Sequence, residues 1–127
     1  WCCGNDQRLY EDSNLAELYA DKEEQKEGDQ IYSHSVYPVV KGGVISLTRY
    51  LAAYWGEKNI RVNCISAGGV YHEGENETFV KKYSAKVPLG RKAEVREISG
   101  AVVYLSSDAS SYVTGQNIIV DGGWTVW

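Results

Sequence analysis

The chain has 127 residues, 43% hydrophobic and 24% charged, with a net charge of −4, as expected for one small soluble domain or part of a larger one. The acidic balance and the lack of a basic stripe exclude a nucleic-acid or anionic-membrane surface. No run approaches the roughly 18 apolar residues of a membrane span.

Residues 1–34 are polar and acidic and carry no signal-peptide pattern. Within them Leu15, Leu18 and Tyr19 give a short helical stripe after Asp12-Ser13-Asn14, which offers N-cap chemistry. The charged run from Asp21 to Glu27 reads as a solvated helix end closed by Gly28. Together they read as a surface excursion, or as a lid touching substrate, since long loops often carry function. Cys2, Cys3 and Cys64 are odd in number and lack metal-ligand spacing, and His34 and His72 stand apart. Neither a disulfide framework nor a metal site is expected, and a reducing, cytoplasmic setting fits best.

The stretch Ser35-Val36-Tyr37-Pro38-Val39-Val40-Lys41-Gly42-Gly43 opens an apolar-periodic helix running to about Glu57. Pro38 suits its first turn, where the missing N–H costs nothing. Tyr37 and Lys41 then share one face, about 5–6 Å apart. A lysine charge about 4 Å from a phenol, at an effective dielectric near 20, favours the phenolate by roughly 4 kcal/mol. That makes the phenol a usable proton donor and acceptor. The spacing alone is weak evidence: with 10 tyrosines in the chain, about one such match arises by chance, and Tyr54 and Lys58 supply a second. Val40, Val44, Leu47, Leu51 and Tyr54 follow helical spacing, and Ile45 and Ala52 widen the stripe. Gly42-Gly43 costs helix propensity and suggests close approach by a ligand or another backbone.

Ile60-Arg61-Val62-Asn63-Cys64-Ile65-Ser66 reads as a buried strand leading into the turn Ala67-Gly68-Gly69-Val70. Helix, strand and glycine turn in this order predict an α/β layer protein with a parallel sheet, whose ligands sit outside the carboxyl ends of strands. Thr78 to Tyr83 forms a short helix, and Pro88-Leu89-Gly90-Arg91 a turn. Glu94 opens a second clear helix through Val95, Ile98, Ala101, Val102 and Leu105. Thr114-Gly115-Gln116 is a turn, Asn117 to Val120 a strand, and Asp121-Gly122-Gly123 a sharp stop.

From Tyr32 to Trp124 these landmarks, in this order, resemble the C-terminal half of the single-domain short-chain dehydrogenases/reductases. They are Tyr37-x-x-x-Lys41 with its helix, Ile60 to Ser66 leading to Gly68, and Pro88-Leu89-Gly90-Arg91 before Glu97-Ile98. Leu105-Ser106-Ser107-Asp108 then runs through Thr114-Gly115-Gln116 to Val120-Asp121-Gly122-Gly123. The context selects Tyr37 over Tyr54. The resemblance implies a partial Rossmann-like doubly wound parallel sheet, represented by its last two strands and flanking helices. It also implies hydride transfer between NAD or NADP and a small alcohol or carbonyl substrate. Tyr37 would relay the substrate proton. Lys41 would support the phenolate and bind the nicotinamide ribose. Ala67, Gly68, Gly69 and the Val70 backbone would flank the nicotinamide. Within the family, a 3-oxoacyl thioester reductase and a sugar dehydrogenase share these landmarks. A homodimer or homotetramer is implied, with no nucleic-acid or membrane partner. The alternative is a non-catalytic oligomerisation or binding module on the same fold.

The chain departs from the family in several places. Alanine stands at position 67 where proline is usual, which restores an N–H and loosens the turn. Tyr71, His72, Glu73 and Gly74 occupy the stretch where a threonine often follows, so phosphate contacts there are not expected. Glu23, Glu24 and Gln25 stand where the family's serine is normally found, and Ser33 and Ser35 lie too near Tyr37 to replace it. Residues 5–31 therefore read as a polar insertion within the C-terminal portion of one dehydrogenase domain. No glycine-rich nucleotide turn after a strand is present, and no methionine occurs anywhere. A fragment of a longer oxidoreductase is expected, and one that by itself folds poorly and is inactive.

Overall fold

The computed structural model describes residues 36–126. The readings made on residues 1–35, including the insertion at 5–31, the Leu15 to Tyr19 stripe, Ser33, Ser35 and His34, lie outside the described residues.

Helix α1 spans Val36–Trp55, with Pro38 in its first turn. A short 3-10 turn, Gly56–Lys58, follows, and Asn59 closes it in the left-handed region at φ 58°, donating its N–H to the Gly56 carbonyl at 2.9 Å. Asparagine tolerates that conformation better than other residues with a Cβ. The buried seam of α1 is Thr48 and Ala52, flanked by half-buried Ile45, Leu51 and Trp55. Val40, Val44, Leu47 and Tyr54, four of the five positions in the predicted stripe, are exposed, and Tyr54 stacks on Tyr50 with ring centroids 6.0 Å apart. Strand β1, Cys64–Ala67, packs against α1, whose buried side is the Thr48 and Ala52 seam, while the wider apolar face is exposed. Among the described residues nothing lies within 4 Å of a Cβ placed at Gly42 or Gly43.

Strand β2, Asn117–Val120, runs parallel to β1, with Cys64 opposite Asn117 and Ala67 opposite Val120. The predicted strand was longer. Ile60 to Asn63 stays outside the ladder because the segment facing it turns at Gly115, φ +71°. There the pairing runs partly through side chains. Val62 donates its N–H to the Thr114 hydroxyl at 3.1 Å, and Asn63 accepts from the Gln116 N–H at 3.0 Å while donating to the Val113 carbonyl at 2.9 Å. Arg61 donates to the carbonyls of Leu105 at 2.8 Å and Val113 at 3.2 Å. Its charge therefore sits at the carboxyl end of the next long helix, where the helix dipole favours a cation.

Between the strands come α2, Glu77–Ser84, and α3, Val95–Ser106. The Asn76 side chain accepts the Phe79 N–H at 3.0 Å and caps α2. The start of α3 is fixed by Glu97, which accepts the Glu94 N–H at 2.8 Å and a two-pronged pair from Arg91 at 2.7 Å each. Hydrogen bonds from Arg91, then from the Glu94 backbone, hold the Glu97 carboxyl down at about 2, from an ordinary 4.5. Because the folded value is the depressed one, the cap is at full strength above the ordinary value and is lost as pH falls through about 2. A carbon-detected NMR titration of Glu97 is expected to find that midpoint, with the Glu94 amide following it. A midpoint near 4.5 would show that the pair does not hold in solution.

The core is small. Val87 and Trp124 are buried, with Phe79 and Tyr83 packed against them. Trp124 is delivered by the Asp121-Gly122-Gly123 turn, in which Gly123 sits at φ +93° and a Cβ would meet Pro88 Cγ at 2.7 Å. The Asp121 carboxylate locks this turn by accepting from Gly123 N–H at 2.8 Å, Thr125 N–H at 3.0 Å and the Thr125 hydroxyl at 2.7 Å. Its burial opposes ionisation, but the Thr125 and Gly123 hydrogen bonds outweigh this and keep the acid below the usual carboxylate range. Among the described residues no helix is long and apolar enough to cross a membrane.

Candidate active site

The carboxyl end of β1 runs into Ala67-Gly68-Gly69-Val70, and a cavity of about 190 Å³ opens there. Tyr37, from the first turn of α1, lines it with Ala67, Gly68, Gly69, Tyr83 and Trp124. A tyrosine from one element and a glycine turn from another therefore meet around one space, although 30 residues separate Tyr37 from Ala67 in the chain. Lys41 does not line the cavity. It lies one turn further along α1, its Nζ 5.6 Å from the Tyr37 ring centroid, within the range of a cation–π contact. Tyr37 is 48% exposed.

Backbone contacts set the turn. Gly68 donates its N–H to the Val120 carbonyl at 2.9 Å and lies so close to the other chain that a Cβ would come within 2.7 Å of Asp121 Cα. The Gly69 carbonyl accepts from Ala93 N–H at 2.9 Å, and Tyr71 N–H donates to the Ala93 carbonyl at 2.8 Å. These two bonds form the parallel bridge between Val70 and Ala93. In extended backbone the groups of Val70 itself then point away from Ala93. Its N–H and C=O have no partner among the described residues. Val70 does not line the 190 Å³ cavity; it follows Gly69, which does.

A donor and an acceptor projecting from one residue complement a primary carboxamide, which needs one of each. The cavity, walled by aromatic rings and glycine backbone, is of a size to take a flat ring. The described residues thus suit the nicotinamide end of a dinucleotide. Among them no glycine-rich turn opens a helix for its phosphates.

Sequence reasoning missed several residues at this site. Tyr83 and Trp124 stack with centroids 4.4 Å apart and planes 11° from parallel. Lys92 is buried under the same cluster, paired with Glu75, and its Nζ stands 5.5 Å from the Phe79 centroid and 5.6 Å from that of Tyr83. Their signals were weak: a tryptophan after a glycine stop, and a tyrosine in a polar helix. Ser66 is buried at the edge of the cavity but already donates to Asn117 Oδ1 at 2.7 Å.

The family model described as enoyl-(acyl carrier protein) reductase matches residues 26–125. The chain is 42% identical over 100 residues to a D-arabinitol 2-dehydrogenase (ribulose-forming) of Candida tropicalis, matching 72% of this chain and 35% of that protein. It is also 42% identical to a galactitol 2-dehydrogenase (L-tagatose-forming) of Cereibacter sphaeroides, over 73% of this chain and 39% of that one. Among solved structures it is similar to a short chain dehydrogenase of Leptospira borgpetersenii with bound NAD+, at 45% identity and a TM-score of 0.69, over 72% of this chain and 35% of that one. The chain therefore spans little more than a third of the length of these relatives. The likeness makes the two parallel strands and their helices part of a Rossmann-like α/β sheet.

Proposed function

Because this chain belongs to the short-chain dehydrogenase/reductase family, we propose that it supplies the proton-relay and nicotinamide-side half of an NAD(P)-dependent oxidoreductase. The reaction interconverts an alcohol and its carbonyl. The observation that carries this reading is the meeting of Tyr37 with the Ala67-Gly68-Gly69 turn around one cavity.

A nicotinamide held there would supply the hydride chemistry. Tyr37 takes the proton of the substrate hydroxyl in oxidation and returns it in reduction. Lys41, over the Tyr37 ring, favours negative charge developing on the phenol oxygen and would bind the ribose. The Ala67 to Val70 turn would flank the ring, and the N–H and C=O of Val70, without a partner among the described residues, would hold its carboxamide.

The relatives named for D-arabinitol and galactitol favour a sugar-alcohol substrate over a 3-oxoacyl thioester. The net charge of −4 points the same way, since it opposes docking of an anionic carrier protein. The full-length protein is expected to reduce NAD+ or NADP+ in the presence of at least one sugar alcohol from a panel of pentitols and hexitols. Turnover confined to acyl thioesters would reverse the choice of substrate, and none with either class would sink the oxidoreductase reading. The 127-residue chain on its own is expected to be inactive.

The exposed Val40, Val44, Leu47 and Tyr54 favour a second reading, in which α1 serves as an assembly surface in a homodimer or homotetramer. A purely non-catalytic module of that kind would have no need of Tyr37 at the cavity.

A further inference from the structure

The turn that carries Val70 is tied down on both sides of that residue. Gly68 N–H is held by Val120, and Gly69 C=O and Tyr71 N–H are held by Ala93. Gly69 N–H donates to the hydroxyl of Tyr83 at 2.6 Å. Tyr83 comes from α2, whose sequence neighbours are the polar residues that follow the turn, and its ring is fixed on two sides. Trp124 stacks on it at 4.4 Å, and Lys92 Nζ stands 5.6 Å from its centroid. The fit leaves no slack: a Cβ at residue 69 would meet Tyr83 Cζ at 2.7 Å and Lys92 Cε at 2.9 Å. Burial pushes the Tyr83 phenol up, Gly69 N–H pulls the other way, and Asp121 adds to the rise. The hydroxyl thus stays neutral and keeps accepting.

We propose that Tyr83 is a positioning residue: its hydroxyl, through Gly69 N–H, aims the free N–H and C=O of Val70, so that docking of α2 sets the cofactor-side turn. The inference rests on the oxidoreductase reading for what Val70 holds, but not for how the turn is held. One hydrogen bond joins this turn to a helix whose Tyr83 also lines the cavity. A rearrangement of α2 then reaches the cofactor without moving the sheet.

The test uses the full-length protein and Tyr83→Phe, which keeps the ring and its stack and removes only the hydroxyl. In the unsubstituted protein the Gly69 amide is expected to exchange slowly with solvent and the Val70 amide fast. In Tyr83→Phe, Gly69 exchange is expected to rise roughly five- to tenfold, the effect of one lost hydrogen bond. Affinity for the reduced nicotinamide dinucleotide is expected to fall by a similar factor, while affinity for ADP-ribose, which lacks the nicotinamide, stays unchanged. Fast Gly69 exchange in the unsubstituted protein, or unchanged exchange in Tyr83→Phe, would overturn the proposal. An equal loss of affinity for both ligands would overturn it too, since a general structural role predicts that pattern. Should the unsubstituted protein bind neither ligand, the oxidoreductase reading fails by itself, and the exchange rates still decide whether Tyr83 holds the turn.

Discussion

Tyr37→Phe in the full-length protein is expected to slow hydride transfer by a factor on the order of 10²–10⁴, the usual range for a positioned proton donor or acceptor. The substitution removes one oxygen and leaves the ring under Lys41 and against the cavity. Dinucleotide affinity should therefore stay close to that of the unsubstituted protein, and the loss should appear in kcat. Substrate affinity is expected to change little, because the proton moves mainly in the transition state. Steady-state rates followed by nicotinamide absorbance, with calorimetric affinities in parallel, separate the two quantities. Turnover that survives Tyr37→Phe within a factor of about ten would remove Tyr37 from the proton path. A collapse of dinucleotide affinity with turnover would instead make its role one of binding.

The second large effect concerns stability. Trp124→Ala is expected to cost about 3–5 kcal/mol, the range for deleting a buried large aromatic. Trp124 is 8% exposed and forms with Val87 the buried nucleus on which Phe79 and Tyr83 pack. Few other large apolar side chains among the described residues are buried, so little is left to absorb the cavity. Against a typical domain stability of about 5–15 kcal/mol such a loss is a large share of the whole. Urea unfolding of the full-length protein measures it, and Trp124→Phe should recover part by restoring a ring opposite Tyr83. A cost under about 1 kcal/mol would mean the stack is not maintained in solution.

The parts of this molecule that could be read from sequence are those fixed by neighbours in the chain. Pro38 marks the first turn of α1, Glu94 the start of α3, and Asp121-Gly122-Gly123 the end of β2, because caps and turns act over a few residues. The Tyr37–Lys41 pair was visible for the same reason, as both lie on one helical turn. What could not be read was tertiary. The β-rich run from Ile60 to Ser66 is longer than the strand because its composition says nothing about the turn at Gly115 opposite it. Nothing in Glu77 to Ser84 says that Tyr83 would reach Gly69, 14 residues earlier, since that contact exists only once α2 has docked. The apolar stripe of α1 was identified by period, but period does not tell which part of a stripe the neighbouring strand covers.

The Lys92–Glu75 pair restricts how this sequence can change over evolutionary time. Their side chains are only 6% and 9% exposed, and each is the other's counter-charge. Losing one alone strands a buried charge, at a cost of about 3–5 kcal/mol, whereas exchanging both for apolar residues of similar volume is close to neutral. A lineage that drops the ion pair therefore has to cross a deleterious intermediate or change both codons together. The two positions are expected to vary in concert across homologues, and a homologue with an apolar residue at the first should seldom keep a lysine at the second.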